Sequence, residues 1–162
     1  MLIIKTLLFT LLAPCTVTLA VPYLLLRSRS EIFPHVWNSL NFIGISIIVA
    51  GVAIYIWCAG DFISKGKGTP APYDPPKELV AEGLYKFTRN PMYVGVSSIV
   101  LGEALFFKSI AILVYALILL LLFHLRVTLY EEPALKRLFG KSFDDYCRRV
   151  PRWIQFRKPQ VV

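Results

Sequence analysis

Charged residues are scarce in this 162-residue chain, at 17%, and acidic ones are the scarcer kind, ten Asp and Glu against eighteen Lys and Arg. With 56% hydrophobic residues and a mean hydropathy of +0.61, a water-soluble fold would leave much apolar surface facing water, so a bilayer is the natural solvent. Cysteine is also sparse: Cys15, Cys58 and Cys147 show no CxxC or Cys/His spacing, which argues against disulfides and a zinc site. The histidines, His35 and His124, lie far apart with no Ser or Cys at a triad spacing, and there is no phosphate loop. A hydrolase reading therefore has little support. The net charge of +8, set among long apolar runs, points to anionic membrane lipids as a partner and not to nucleic acid.

What is present is a series of apolar runs. Leu2 to Leu26 is long enough, at about 1.5 Å per residue, to cross a hydrocarbon core of about 30 Å. A cleaved signal peptide competes for this run, with Lys5 and Thr18-Leu19-Ala20 imitating its ends, but apolar character continues past Ala20. A second helix is expected from Leu40 to Cys58, ended by Asp61; Gly44 and Gly51, seven apart, share a face for packing within the chain. Ser64 to Asn90, rich in Gly and Pro, is the one long loop, and its length favours a functional role. Helices over Met92 to Phe107 and Ile110 to Thr128 form an antiparallel hairpin across Lys108-Ser109.

Four spans place the N-terminus, the loop and the tail on one side, leaving only Arg27, Arg29 and Lys108 among the cations opposite. The positive-inside rule makes that side cytoplasmic; charge does not separate a prokaryotic plasma membrane from a eukaryotic endomembrane, and the former is the expected setting for want of a clear retention motif. The tail from Glu131 is amphipathic, with Leu135, Leu138, Phe139, Phe143, Tyr146 and Val150 at helical steps and an interruption at Gly140-Lys141-Ser142. Two interfacial helices are expected there. The fold class is an all-α integral membrane protein of one domain: two helices in 1–58, a loop in 59–91, a hairpin in 92–128 and a tail in 129–162. In the hairpin, Glu103 is expected either to snorkel to the interface or to pair.

The sharpest local feature is Gly83-Leu84-Tyr85-Lys86-Phe87-Thr88-Arg89-Asn90-Pro91-Met92-Tyr93-Val94-Gly95. It resembles the Gly-x-Tyr, Arg-His-Pro-x-Tyr and following Gly of the isoprenylcysteine carboxyl methyltransferase family and its prokaryotic relatives. Glu131-Glu132, Leu135, Phe139-Gly140, Tyr146 and Val150-Pro151-Arg152-Trp153-Ile154 are similar to the same family's ending. The resemblance implies S-adenosylmethionine as cofactor, held between loop and tail, and a lipophilic small-molecule or lipidated acceptor entering from the bilayer. It assigns the cofactor to Lys77, Glu78, Leu79, Val80, Tyr85, Asn90, Pro91, Met92, Tyr93 and Glu131. Tyrosine rings and hydroxyls, and a carboxylate facing ribose or ammonium, suit that ligand; Arg89 is suited to a carboxylate.

Two positions depart from the family pattern. Asn90 stands where its His is usual, keeping hydrogen bonds but not charge. The family's substrate arginine falls on Val127, one step and about 100° from Arg126; Arg126 is the candidate for that role. The sequence leaves O-, N- or S-methylation and the oligomeric state open. The competing readings are a sterol-reductase-like enzyme using a reduced nicotinamide cofactor and a membrane scaffold without enzymatic activity.

Overall fold

The computed structural model describes residues 12–27, 37–64 and 78–153. These are helical, with no strand among them. The elements are α1 (Leu12–Arg27), α2 (Ser39–Ser64), a 3₁₀ turn (Gly83–Lys86), α3 (Pro91–Phe106), α4 (Ile110–Arg126), α5 (Glu132–Phe139) and α6 (Lys141–Arg149). Lys5, Lys77, His35, Ile154 and most of the Gly- and Pro-rich loop lie outside the described residues, as does the start of the first apolar run.

Ser39–Phe62 and Ile110–Phe139 are each long and apolar enough to cross a membrane, and Leu12–Arg27 and Pro91–Phe106 are shorter apolar helices. Phe42, Val49 and Ile56 on α2 and Ile110, Leu117 and Leu121 on α4 face outward, the reverse of a soluble helix and the arrangement that lipid requires.

Helix α2 runs beyond the expected stop at Asp61, through to Ser64. Asp61 is buried because Gly83 covers it: a Cβ built on Gly83 would lie 2.5 Å from Asp61 Oδ2. A charge that folds against protein does not need to end a helix in water. At its other end, buried Asn41 donates from Nδ2 to the Phe106 carbonyl at 2.6 Å and accepts from the Asn38 N–H at 2.9 Å. This ties the beginning of α2 to the end of α3.

Between those points α2 and α3 touch backbone to backbone. A Cβ on Gly51 would sit 2.6 Å from the Gly95 carbonyl oxygen, and one on Gly102 would sit 2.7 Å from that of Gly44. Gly44 and Gly51 thus meet Gly102 and Gly95, two glycines at the same seven-residue spacing on an antiparallel partner. Small residues allow this closeness, and dispersion and backbone packing drive helix association where lipid removes the hydrophobic incentive.

Pro91 occupies the first turn of α3, where its missing N–H has no helical partner to lose. The α3–α4 link is the tight hairpin expected, with Lys108 at φ 50° and Ser109 Oγ accepting from the Ile112 N–H at 3.4 Å. Helix α4 does not end at Thr128. It continues through a π-turn, Val127–Glu131, into α5, giving one 30-residue helical run. Pro133 has no N–H for an i→i−4 bond, and just before it the Glu132 N–H reaches back to the Val127 carbonyl. The wider turn absorbs the break in the ladder. Gly140, at φ 52°, then ends α5 and turns the chain into α6; Phe143 and Tyr146 of α6, with Val150 just beyond it, pack with Leu79, Ala81, Leu135 and Phe139.

Glu103 neither snorkels nor makes a full pairing. It is 8% exposed within α3, and its Oε2 has no hydrogen-bond partner among the described residues. Burying such a group without compensation costs on the order of 1–3 kcal/mol. Glu103→Leu is therefore expected to raise the melting temperature in detergent; a lower one would reveal a partner for the carboxylate.

Candidate functional site

A cavity of about 450 Å³ opens where α2 finishes and α3 begins, walled also by α1, the α4–α5 run and α6. Its polar centre comes from the π-turn. Residues five apart on an ordinary α-helix point roughly 140° away from each other. The extra residue of the π-turn brings Arg126 and Glu131 together, with Arg126 Nε donating to Glu131 Oε1 at 2.8 Å. Tyr93 joins them from α3: its hydroxyl donates to Glu131 Oε1 and accepts from Arg126 Nε at 3.0 Å. The Tyr93 ring packs on Phe123 with centroids 4.5 Å apart, and the Arg126 guanidinium lies 6.0 Å from the Tyr130 ring centroid, within the range of a cation–π contact. Val127, on the family's arginine position, is 1% exposed. Arg126, one step away, lines the cavity.

The second wall is the motif loop. Gly83 takes φ 57°, the left-handed region that suits glycine, and starts the short turn holding Tyr85. The Tyr85 ring meets Phe62 edge-on at 5.8 Å, and its carbonyl accepts from the Tyr146 hydroxyl at 2.8 Å. Burial pushes the Tyr85 phenol well above its ordinary value, with nearby Cys58 adding to the effect. Burial likewise raises Tyr146, partly offset by the Arg89 guanidinium. Both therefore stay neutral hydroxyls in the physiological range.

The third wall joins loop and tail. Arg152 grips Glu132 with two bonds, Nε to Oε1 at 2.8 Å and Nη2 to Oε2 at 2.7 Å, while Arg89 Nη1 reaches Glu132 Oε1 at 2.9 Å. The Arg152 carbonyl accepts from Thr88 Oγ1 and Asn90 Nδ2, both at 3.0 Å. The Trp153 indole N–H donates to His124 Nδ1 at 3.1 Å, so His124 serves as a packing and anchoring side chain.

Of the residues expected at the cofactor, Leu79, Val80, Tyr85, Asn90, Met92, Tyr93 and Glu131 line this cavity, together with Arg126. Pro91 is buried at the start of α3 and is not on the lining; Glu78 is exposed and also off it. Lys77 is outside the described residues. Arg89, read from sequence as suited to a ligand carboxylate, meets the chain's own Glu132. Sequence reasoning gives Glu132 only a helix-start role and Arg152 only a place in the family-like ending, and gives Phe123 none. The doubled acid, Glu131-Glu132, was the only signal for the first of these.

The arrangement offers a carboxylate, a phenol and a guanidinium at one place. Apolar side chains surround them, among them Ala13, Pro14 and Val17 of α1 and Leu138 of α5. Such a cavity suits a ligand with a polar, charged end and an apolar companion, and its volume is within the roughly 300–1,000 Å³ of small-molecule sites.

Residues 39–142 match the family model described as phospholipid methyltransferase. Over 80 residues the chain is 32% identical to protein-S-isoprenylcysteine O-methyltransferase B of Arabidopsis thaliana, covering 49% of this chain and 40% of that protein. Over 77 residues it is 36% identical to the protein-S-isoprenylcysteine O-methyltransferase of Schizosaccharomyces pombe, covering 47% and 32%. The matches thus span well under half the length of these curated relatives. No solved structure matches the chain.

Proposed function

This chain belongs to the phospholipid methyltransferase family, and from that premise we propose that it transfers a methyl group from S-adenosylmethionine to a lipophilic acceptor at the cytoplasmic face of a membrane. The observation that carries the reading is the meeting of Tyr93, Arg126 and Glu131 in a cavity that also reaches the apolar residues of α1. The donor set fits the cofactor. Glu131 is a carboxylate for an ammonium or for ribose hydroxyls, the phenols of Tyr85 and Tyr93 supply hydroxyls and ring faces, and Leu79, Val80 and Met92 supply apolar contact.

The cofactor supplies a methyl group on an already activated sulfonium, so the protein's task is orientation and exclusion of water. Glu131 and Tyr93 hold the donor end. Arg126, carried on the same helical run, faces the acceptor. The relatives' names specify an isoprenylcysteine and an oxygen acceptor, and a lipidated carboxylate is accordingly the acceptor proposed here; it has no proton to lose, so a dedicated general base is unnecessary. Four spans with both termini cytoplasmic complete the proposal, supported by the two long and two shorter apolar helices and by the distribution of Lys and Arg.

Calorimetry on the detergent-purified protein tests this reading. Saturable binding of S-adenosylmethionine and S-adenosylhomocysteine is expected, with none of a reduced nicotinamide dinucleotide. Absence of methyl-cofactor binding by folded, lipid-supplemented protein would overturn it.

A further inference from the structure

Glu131 and Glu132 are neighbours on one helical run, yet they face different partners. Glu131 meets Arg126 and Tyr93 through Oε1. Glu132 takes three hydrogen-bonding or ionic contacts from two arginines and uses both oxygens, filling most of the roughly four acceptor positions of a carboxylate. Its side chain is 17% exposed and that of Arg89 14%, so the Arg89 contact is largely shielded from water and from salt, while Arg152 is 34% exposed. Glu132 borders the cavity with its bonds already committed.

The two arginines come from segments more than sixty residues apart, and their backbones are joined as well. The Arg89 N–H donates to the Pro151 carbonyl at 2.9 Å, and the Arg152 carbonyl accepts from Thr88 and Asn90. The connections close a ring: Glu132 to Arg89, Arg89 to Pro151, and Arg152 back to Glu132. Arg89 in that ring lies two residues before Pro91, the first residue of α3, which is itself two positions from Tyr93. On its other side the ring is one residue from Glu131. The ring therefore bears on the separation of Tyr93 and Glu131, alongside their direct hydrogen bond.

We infer that Glu132 is a positioning residue: with Arg89 and Arg152 it clasps the 88–90 loop and the 151–152 tail together, and through them it sets the affinity of the cofactor site without itself holding the cofactor. The inference rests on the function proposed above. Position matters because ligand groups that must be met simultaneously lose steeply when one wall moves. Arginine suits the bidentate half of the clasp, since its planar fork matches a carboxylate and lysine's point charge does not.

The test uses full-length protein in detergent, with S-adenosylhomocysteine as probe. Glu132→Gln is expected to weaken binding by roughly 10- to 100-fold and to speed hydrogen exchange at the Arg89 amide. Arg152→Gln is expected to do the same, with the double variant no weaker than the worse single one because both open one clasp. Arg152→Lys should lose less than Arg152→Gln. It also provides the milder variant should Glu132→Gln fail to fold. Unchanged affinity in folded Glu132→Gln or, failing that, in Arg152→Lys, or strictly additive losses in the double variant, would overturn the clasp while leaving the functional reading intact. If the parent protein itself does not bind the probe, the functional reading fails and the inference fails with it.

Discussion

Glu131→Gln is expected to weaken binding of S-adenosylmethionine by roughly 10- to 100-fold, the equivalent of losing about 1.5–3 kcal/mol from a hydrogen bond to a charged group. The amide keeps the size of the side chain, so the effect reports charge. Its loss also frees Arg126, whose Nε bond to Glu131 lies at 2.8 Å, but that pair is partly solvated and contributes little to folding. The helices should therefore melt close to the parent temperature. Tyr93→Phe removes one hydroxyl and keeps the ring on Phe123, so a smaller loss, about tenfold or less, is expected. Arg126→Gln should suppress turnover more than it weakens cofactor binding, because its proposed ligand is the acceptor while its Nε also bonds Glu131 and Tyr93. Calorimetry on the three variants separates these outcomes. Parent-like binding by both folded Glu131→Gln and folded Tyr93→Phe would place the cofactor elsewhere.

The apolar helices were legible in the sequence because the demand that lipid makes is local: a run either is apolar for long enough or is not. The ends of those helices depend on distant residues, and there the sequence misleads. Asp61 reads as a stop until Gly83 is seen to cover it. Thr128 reads as a helix end until the π-turn around it is seen to carry the helix through. The site divides along the same line. Tyr93 and Glu131 are found from motif resemblance, and the structure brings them into contact. The pairing of Arg126 with Glu131 runs against α-helical periodicity and could not be read from spacing. Nor could the duty of Glu132, since its two arginines are remote in sequence from it and from each other.

Gly51→Leu is expected to abolish the folded protein, and Gly95→Leu to do the same. Overpacking a soluble core costs typically about 1–3 kcal/mol because side chains and backbone shift to make room. Here the obstacle is backbone on both sides: the added Cβ of residue 51 would lie 2.6 Å from the Gly95 carbonyl oxygen and 3.0 Å from the Ile99 nitrogen, and that of residue 95 would lie 2.9 Å from the Gly51 oxygen. Neither helix can yield by a change of rotamer. Separating α2 from α3 would also strain the Asn41–Phe106 bond at one end of the pair and displace Tyr93, two residues from Gly95, at the other. Even Gly51→Ala should lower the melting temperature, since alanine already adds the offending Cβ. Gly60 is the control, because it lies on the same helix and a Cβ there meets nothing within 4 Å; Gly60→Ala should melt at or above the parent temperature, as alanine is the better helix former by about 1 kcal/mol. Thermal melts in detergent decide the matter. Equal tolerance of Gly51→Leu and Gly60→Ala would mean that α2 and α3 are not held backbone to backbone.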